Sequence, residues 1–177
     1  MCASNQDLIV LDQHAAHERI LYEKLKQARK EAPESQGLLI PETMDLNYRD
    51  ARVLEIFLPE LSALGFEIEP FGGKTFAIKS VPALLGEREI KTLVVAMIEK
   101  WIEDGSEKVV EKAIDDSIKL MACHGAIRAN QRLRSVEIEA MLEQLDACEN
   151  HSNCPHGRPT WIKLDKKFFE KAFKRMV

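Results

Sequence analysis

Apolar and polar positions recur along this 177-residue chain with two periods, and the points where the period changes mark its elements. Leu8 to Leu11 is a short apolar run that predicts a buried strand. It leads into a stretch rich in strong helix formers, predicting a helix from about 13 to 30 that stops before Pro33. Residues 38–46, around Pro41, read as extended. From 48 to 64, Val53, Leu54, Phe57, Leu58, Leu61 and Leu64 keep a helical period, with Gly65 as the stop and a kink or break expected at Pro59. Residues 66–69 and 75–81 alternate like strands and meet across Gly72 and Gly73, a hairpin signature. Helical periods return over 87–104, with Ile90, Leu93, Val94, Met97, Ile98 and Trp101 inward, and over 107–122. Ser135 is placed to cap a helix bearing Val136, Ile138, Met141, Leu142 and Leu145. Residues 154–160 are dense in turn formers, 160–164 read as a strand, and 165–176 as a closing amphipathic helix.

These elements predict an α+β fold in which a small unit of strand, helix, hairpin and helix is inserted between two halves of another. Residues 1–7 read as a strand remnant. A start this near an important strand suggests a fragment of something longer, with its first strand truncated.

Charge sharpens the division. The net charge of −4 conceals a middle, residues 31–118, with 18 acids and 9 bases, and flanks with 11 acids and 16 bases. Phosphate binding therefore belongs to the ends, where Arg128, Arg132 and Arg158 are the candidates. A hydrophobic fraction of 45% beside 31% charged residues fits a globular protein, and no apolar run approaches membrane-spanning length. Four cysteines without a secretory signal favour reduced thiols, and metal ligation over a disulfide framework.

The candidate chemistry starts where the first strand meets the first helix. His14 and Glu18 stand four apart and share a helix face, while Asp12 at the strand tip can point to the same spot. Two carboxylates and an imidazole suit a divalent cation; the plainer reading is an Asp cap with surface charges behind it. In the distant loop, Cys154 and His156 flank Pro155, with Gly157 and Pro159 holding an irregular backbone. Arg158 suits a phosphate oxygen or a salt bridge to Glu18 or Glu23. Cys123 is either a ligand or a small buried hydrophobe. Together Asp12, His14, Glu18, Cys123, Cys154 and His156 offer six ligands of mixed softness. Thiolate and imidazole favour zinc, and the carboxylates leave room for a harder ion such as manganese. Six ligands suggest two ions sharing carboxylates, an arrangement that hydrolyses phosphodiesters.

The first segment resembles the Asp-Gln-His-Ala-x2-Glu-x4-Glu motif in the C-terminal domain of MutL mismatch-repair proteins that nick DNA; Asp12, Gln13, His14, Ala15, Glu18 and Glu23 match every fixed position. Residues 122–130 are similar to the family's second motif and 154–159 to its third. The resemblance implies an outer homodimerising, metal-binding subdomain from residues 1–33 and 118–177, and an inserted regulatory subdomain from 34–117. It implies that the six residues above bind metal, with Asp12, His14 and Glu18 catalytic, zinc structural or regulatory, and manganese catalytic. Gln36, Leu39, Ile40 and Pro41 are similar to the segment with which bacterial MutL proteins engage the replicative sliding clamp; the plainer reading is an edge strand. The implied partners are a second copy, double-stranded DNA, the clamp and, through the full-length protein, a MutS-type mismatch sensor, in a bacterial, nucleoid-associated cytoplasmic setting and without a membrane. The family's amino-terminal ATPase is not in this sequence, so no nucleotide cofactor is expected here.

Three functions follow as expectations. The leading one is a metal-dependent nicking endonuclease domain. The alternative is a zinc-stabilised dimerisation and partner-docking module without chemistry of its own. A cysteine hydrolase built on Cys154 and His156 lacks an orienting third group.

Overall fold

The computed structural model describes residues 2–4, 7–31, 33–86, 89–105, 110–127 and 131–175. The fold is α+β. In order the elements are β1 (Cys2–Ser4), β2 (Asp7–Leu11), α1 (Gln13–Glu31), β3 (Ser35–Asp45), α2 (Tyr48–Ala63), β4 (Glu67–Pro70), β5 (Thr75–Pro82), α3 (Ile90–Glu103), α4 (Val110–Gly125), α5 (Ser135–Asp146), β6 (Trp161–Leu164) and α6 (Lys166–Ala172). The chain divides into two compact units, Met1–Ile20 with Ile127–Val177, and Leu21–Ala126. The divisions thus fall within α1 and just after α4.

In the unit made from the two ends, β2 is the middle strand of an antiparallel sheet ordered β1-β2-β6. Leu8 lies opposite Leu164 and Leu11 opposite Trp161. Its small core joins Ala16 and Ile20 of α1 to Met141 and Leu145 of α5, with Leu11, Leu133 and Cys148 packed against them. The expected cap of α5 is corrected. Arg134, not Ser135, holds the cap position, and the Glu137 carboxylate accepts from its backbone N–H at 2.7 Å and its guanidinium at 3.2 Å. A carboxylate in the first turn does this work with the helix dipole in its favour. The closing helix is shorter than expected because Lys174 adopts a left-handed φ of 52°.

In the second unit the sheet order is β3-β5-β4, all antiparallel. Central β5 is buried at six of its eight positions, and the glycine-bearing turn leading into it closes with Thr75 N–H donating to Gly72 at 3.0 Å. Phe57 of α2 stacks on Trp101 of α3 at 4.2 Å between centroids, and the Trp101 indole N–H donates to Ser117 of α4 at 3.1 Å. These contacts carry the helical layer, because buried aromatics contribute most area and the indole finds a partner. The Asn47 side chain caps α2 through the Asp50 N–H. Gly65 ends it at φ 95°, where a Cβ would come within 3.3 Å of Pro33 and Ser35.

Three boundary expectations fail here. The Pro59 position does not break α2, which runs from Tyr48 to Ala63 through it. Pro59 and Glu55 are both exposed, so the carbonyl that loses its donor sits on the solvent side. Ile90 begins α3, because Glu89 takes a left-handed φ of 50°; residues 87 and 88 lie outside the described ones. Finally, α4 does not stop at Ala122 but carries Cys123 and His124 within its last turn.

Candidate metal centre

Asp12 leaves β2 with its N–H bonded to the Thr160 carbonyl at 2.8 Å, which fastens the strand end to the end of the 154–160 loop. Its Oδ1 accepts from His14 N–H at 2.9 Å and Ala15 N–H at 3.2 Å, so Asp12 caps α1. The plainer reading of Asp12 therefore holds for one carboxylate oxygen.

One turn on, His14 donates Nδ1–H to the Ile127 carbonyl at 2.9 Å, which directs Nε2 at Glu18 Oε1, 3.2 Å away. A lone pair facing a carboxylate at that distance requires a cation between them, either a proton or a metal ion. Glu18 itself is only 2% exposed. Its second oxygen, Oε2, lies 3.6 Å from His156 Nδ1 and has no hydrogen-bond partner. A buried carboxylate oxygen without a donor is costly, and a site that keeps one calls for a specific reason.

The loop supplies the remaining donors. Cys154 is 1% exposed, and Cys154, His156 and Glu18 each offer one ligand atom within 4.8 Å of the others. Neighbouring ligands of a tetrahedral zinc ion stand roughly 3.3–3.8 Å apart at bond lengths of ~2.0–2.3 Å. A thiol, an imidazole and an orphaned carboxylate oxygen at this spacing fit a divalent cation with modest closure. The loop closes on itself: Cys154 N–H donates to the Arg158 carbonyl at 2.8 Å, Gly157 N–H returns to the Cys154 carbonyl at 2.9 Å, and Gly157 takes φ 83°. That left-handed turn is why a glycine lies next to His156.

The other expected residues distribute as follows. Cys123 is half-buried on α4, in the unit Leu21–Ala126. Cys154 is a free thiol, and the Cys148 Sγ–H donates to the Gln144 carbonyl at 3.3 Å. Arg132 and Arg158 are exposed, and Glu18 takes His14 and His156 as its ion-pair partners rather than Arg158. Gln13 donates to the Gln131 carbonyl at 3.0 Å, which brings the backbone before Arg132 to the start of α1. Arg128 lies outside the described residues.

Two residues escaped the sequence reading. His17 Nδ1 accepts the Ile127 N–H at 3.0 Å, so His14 and His17 hold both polar groups of one residue. Arg19, only 8% exposed, donates Nε–H to the Asn153 carbonyl at 2.6 Å. The histidine pair at i, i+3 was a visible signal; nothing in the sequence pointed Arg19 at position 153.

Elsewhere, Gln36, Leu39, Ile40 and Pro41 lie on β3, an edge strand of its sheet that carries a bulge. Pairing with β5 jumps from Gly37↔Ser80 to Glu42↔Ile78. Residues 38–41 form a bulge in which Leu38 packs against the core while Leu39 is 94% and Ile40 77% exposed.

Residues 1–133 match the family described as the MutL C terminal dimerisation domain. The chain belongs to that family. It is 39% identical to the DNA mismatch repair protein MutL of Geobacter sulfurreducens over 177 residues, covering 99% of this chain and 29% of that protein. It is 41% identical to the MutL of Syntrophotalea carbinolica over 176 residues, 99% of this chain and 28% of that one. The MutL of Pseudomonas putida is 39% identical over 169 residues, 95% and 27% of the two chains. This MutL-family chain thus spans less than a third of the length of these curated relatives. The family match ends before the Cys154 loop, but the similarity to the Geobacter MutL covers 99% of the chain.

Proposed function

We propose that this chain is the metal-dependent DNA-nicking portion of a MutL mismatch-repair protein, and that it also forms homodimers. The observation that carries the reading is the buried Glu18 carboxylate, with one oxygen facing His14 and the other, near Cys154 and His156, without a hydrogen-bond donor. Glu18, Cys154 and His156 hold a zinc ion, with His14 at the same carboxylate. Asp12 and Cys123 join the ligand set on the motif resemblance, and manganese is the ion used in catalysis. A bound divalent cation supplies Lewis-acid activation of water and neutralises charge on the phosphate under attack. The chain's own residues do the rest. Glu18 fixes the negative charge that recruits the ion, and the His14 Nδ1–H bond to Ile127 keeps Nε2 aimed inward. The exposed Arg132 and Arg158, with Arg128, bind backbone phosphates of double-stranded DNA.

Residues 1–33 and 118–177 make the dimerising, metal-binding portion, and 34–117 the regulatory insert. An apolar cleft of about 240 Å³ lined by Ile9, Leu11, Ile138, Leu142, Leu145 and Trp161 supports a second copy covering that face. The 38–41 bulge presents Leu39 and Ile40 to the groove of a sliding clamp, and the full-length protein answers to a MutS-type sensor. The test is relaxation of supercoiled plasmid with manganese. Asp12→Asn and Glu18→Lys are expected to abolish it, and full nicking by either contradicts the reading.

The alternative, a zinc-stabilised docking module without its own chemistry, draws on two observations: a fully buried thiol in the cluster and an Asp12 oxygen spent on a helix cap. Cooperative unfolding on chelation, with no nicking under any metal, selects it over the endonuclease.

A further inference from the structure

We propose that Arg19 is a positioning residue that holds the Cys154–His156 loop in metal-binding register against α1. The proposal rests on the metal-site reading above and adds a residue that its ligand motif does not name. Glu18 and Arg19 are adjacent on α1 yet serve opposite sides of one problem. Glu18 is the helix's ligand; Arg19 reaches the loop that brings the other ligands.

The connection is a short relay of hydrogen bonds. Arg19 Nε–H donates to the Asn153 carbonyl at 2.6 Å, across 134 positions of sequence. The Asn153 side-chain amide donates to the Gly157 carbonyl at 3.1 Å. Gly157 N–H donates in turn to the Cys154 carbonyl at 2.9 Å, and Asn153 bridges to Pro159 across the base of the loop. Cys154 and His156 therefore sit inside a closed backbone turn whose first residue is gripped by a buried guanidinium. Arginine suits the task because its fork is planar and always charged, and its bond to a neutral carbonyl is charge-assisted. Without that grip, ligand atoms that stand within 4.8 Å of one another are no longer held against Glu18. Partners of this kind, which orient ligands without touching the ion, typically govern a ~10–100-fold range of metal affinity.

The test uses the full chain in three forms: wild type, Arg19→Gln and Arg19→Lys. Zinc affinity is read by competition with a chromophoric chelator. Cobalt substitution reads the thiolate-to-metal absorption band, and circular dichroism checks folding without metal. Arg19→Gln is expected to bind zinc ~10–100-fold more weakly, with a diminished or shifted cobalt–thiolate band, and Arg19→Lys to recover part of both by donating one bond. Wild-type affinity and an unaltered band in a folded Arg19→Gln protein overturn the proposal. If Arg19→Gln does not fold, Arg19→Lys and Asn153→Ala decide, and unchanged zinc affinity in both overturns it. Failure of the wild type to bind zinc at all removes the underlying site instead, so the two failures are distinguishable.

Discussion

Glu18 places a carboxyl group where a folded protein least tolerates one, buried on a helix face with one oxygen lacking a donor. A buried unsatisfied acceptor costs about 1–3 kcal/mol, more when charged. Metal-free Glu18→Gln is therefore expected to be as stable as the wild type or more so in urea denaturation. With zinc at 100 times its Kd, the wild type gains about 2.7 kcal/mol by mass action and the variant gains little. A variant that is weaker without metal yet keeps the zinc response contradicts this account. Asp12 makes a complementary case. Asn caps helices about as well as Asp, so Asp12→Asn should shift the thermal midpoint by no more than a degree or two while nicking is lost. Simultaneous loss of stability would mean the carboxylate matters only as a cap. At this scale the sequence was readable where spacing along one helix decides, as for His14 and Glu18. It was silent on Arg19, whose partner is a backbone carbonyl 134 residues away that leaves no mark on residue type.

Elements were legible wherever the apolar period was long, as in α2, α3 and the β4–β5 hairpin. Their ends were harder, because each is set by one local conformation: the left-handed Glu89 before α3, the Glu137 carboxylate that moves the α5 cap to Arg134, and the exposed side on which Pro59 is tolerated. The bulge in β3 was also invisible, since four residues rich in apolar side chains read as strand when they in fact leave the ladder. It carries its own prediction. Leu39 and Ile40 bury almost nothing, so replacing both with Ala should change stability by less than about 0.5 kcal/mol. The same double variant should abolish binding to the replicative sliding clamp in surface plasmon resonance. Retained binding would return the segment to an unremarkable edge.

For the molecule as a whole, charge marks residues 31–118 as an acidic middle between basic flanks, whereas the compact units divide at Ile20/Leu21 and at Ala126/Ile127. The electrostatics of the unit Leu21–Ala126 give a pH signature. Burial pushes the Asp115 carboxyl upward, but Lys119 at 2.8 Å and the Tyr22 hydroxyl at 2.6 Å outweigh it and hold the group below the ordinary carboxylate value. A depressed folded pKa contributes stability above the unfolded value of about 3.9 and loses it as pH falls through the folded one. Wild type should thus be more stable than Asp115→Asn at pH 7, with the gap closing below about pH 4 in acid titration of the denaturation midpoint. A gap that widens on acidification would reverse the sign.

If α1 and the distant 154–156 loop share one cation through Glu18, as proposed, zinc X-ray absorption on the metal-loaded chain reads all of its ligands at once. One zinc–sulfur distance near ~2.3 Å among nitrogen and oxygen ligands at ~2.0–2.2 Å is expected, with the sulfur contribution lost in Cys154→Ser and the ion released in Glu18→Gln. A zinc shell without sulfur, or one indifferent to both substitutions, would contradict it.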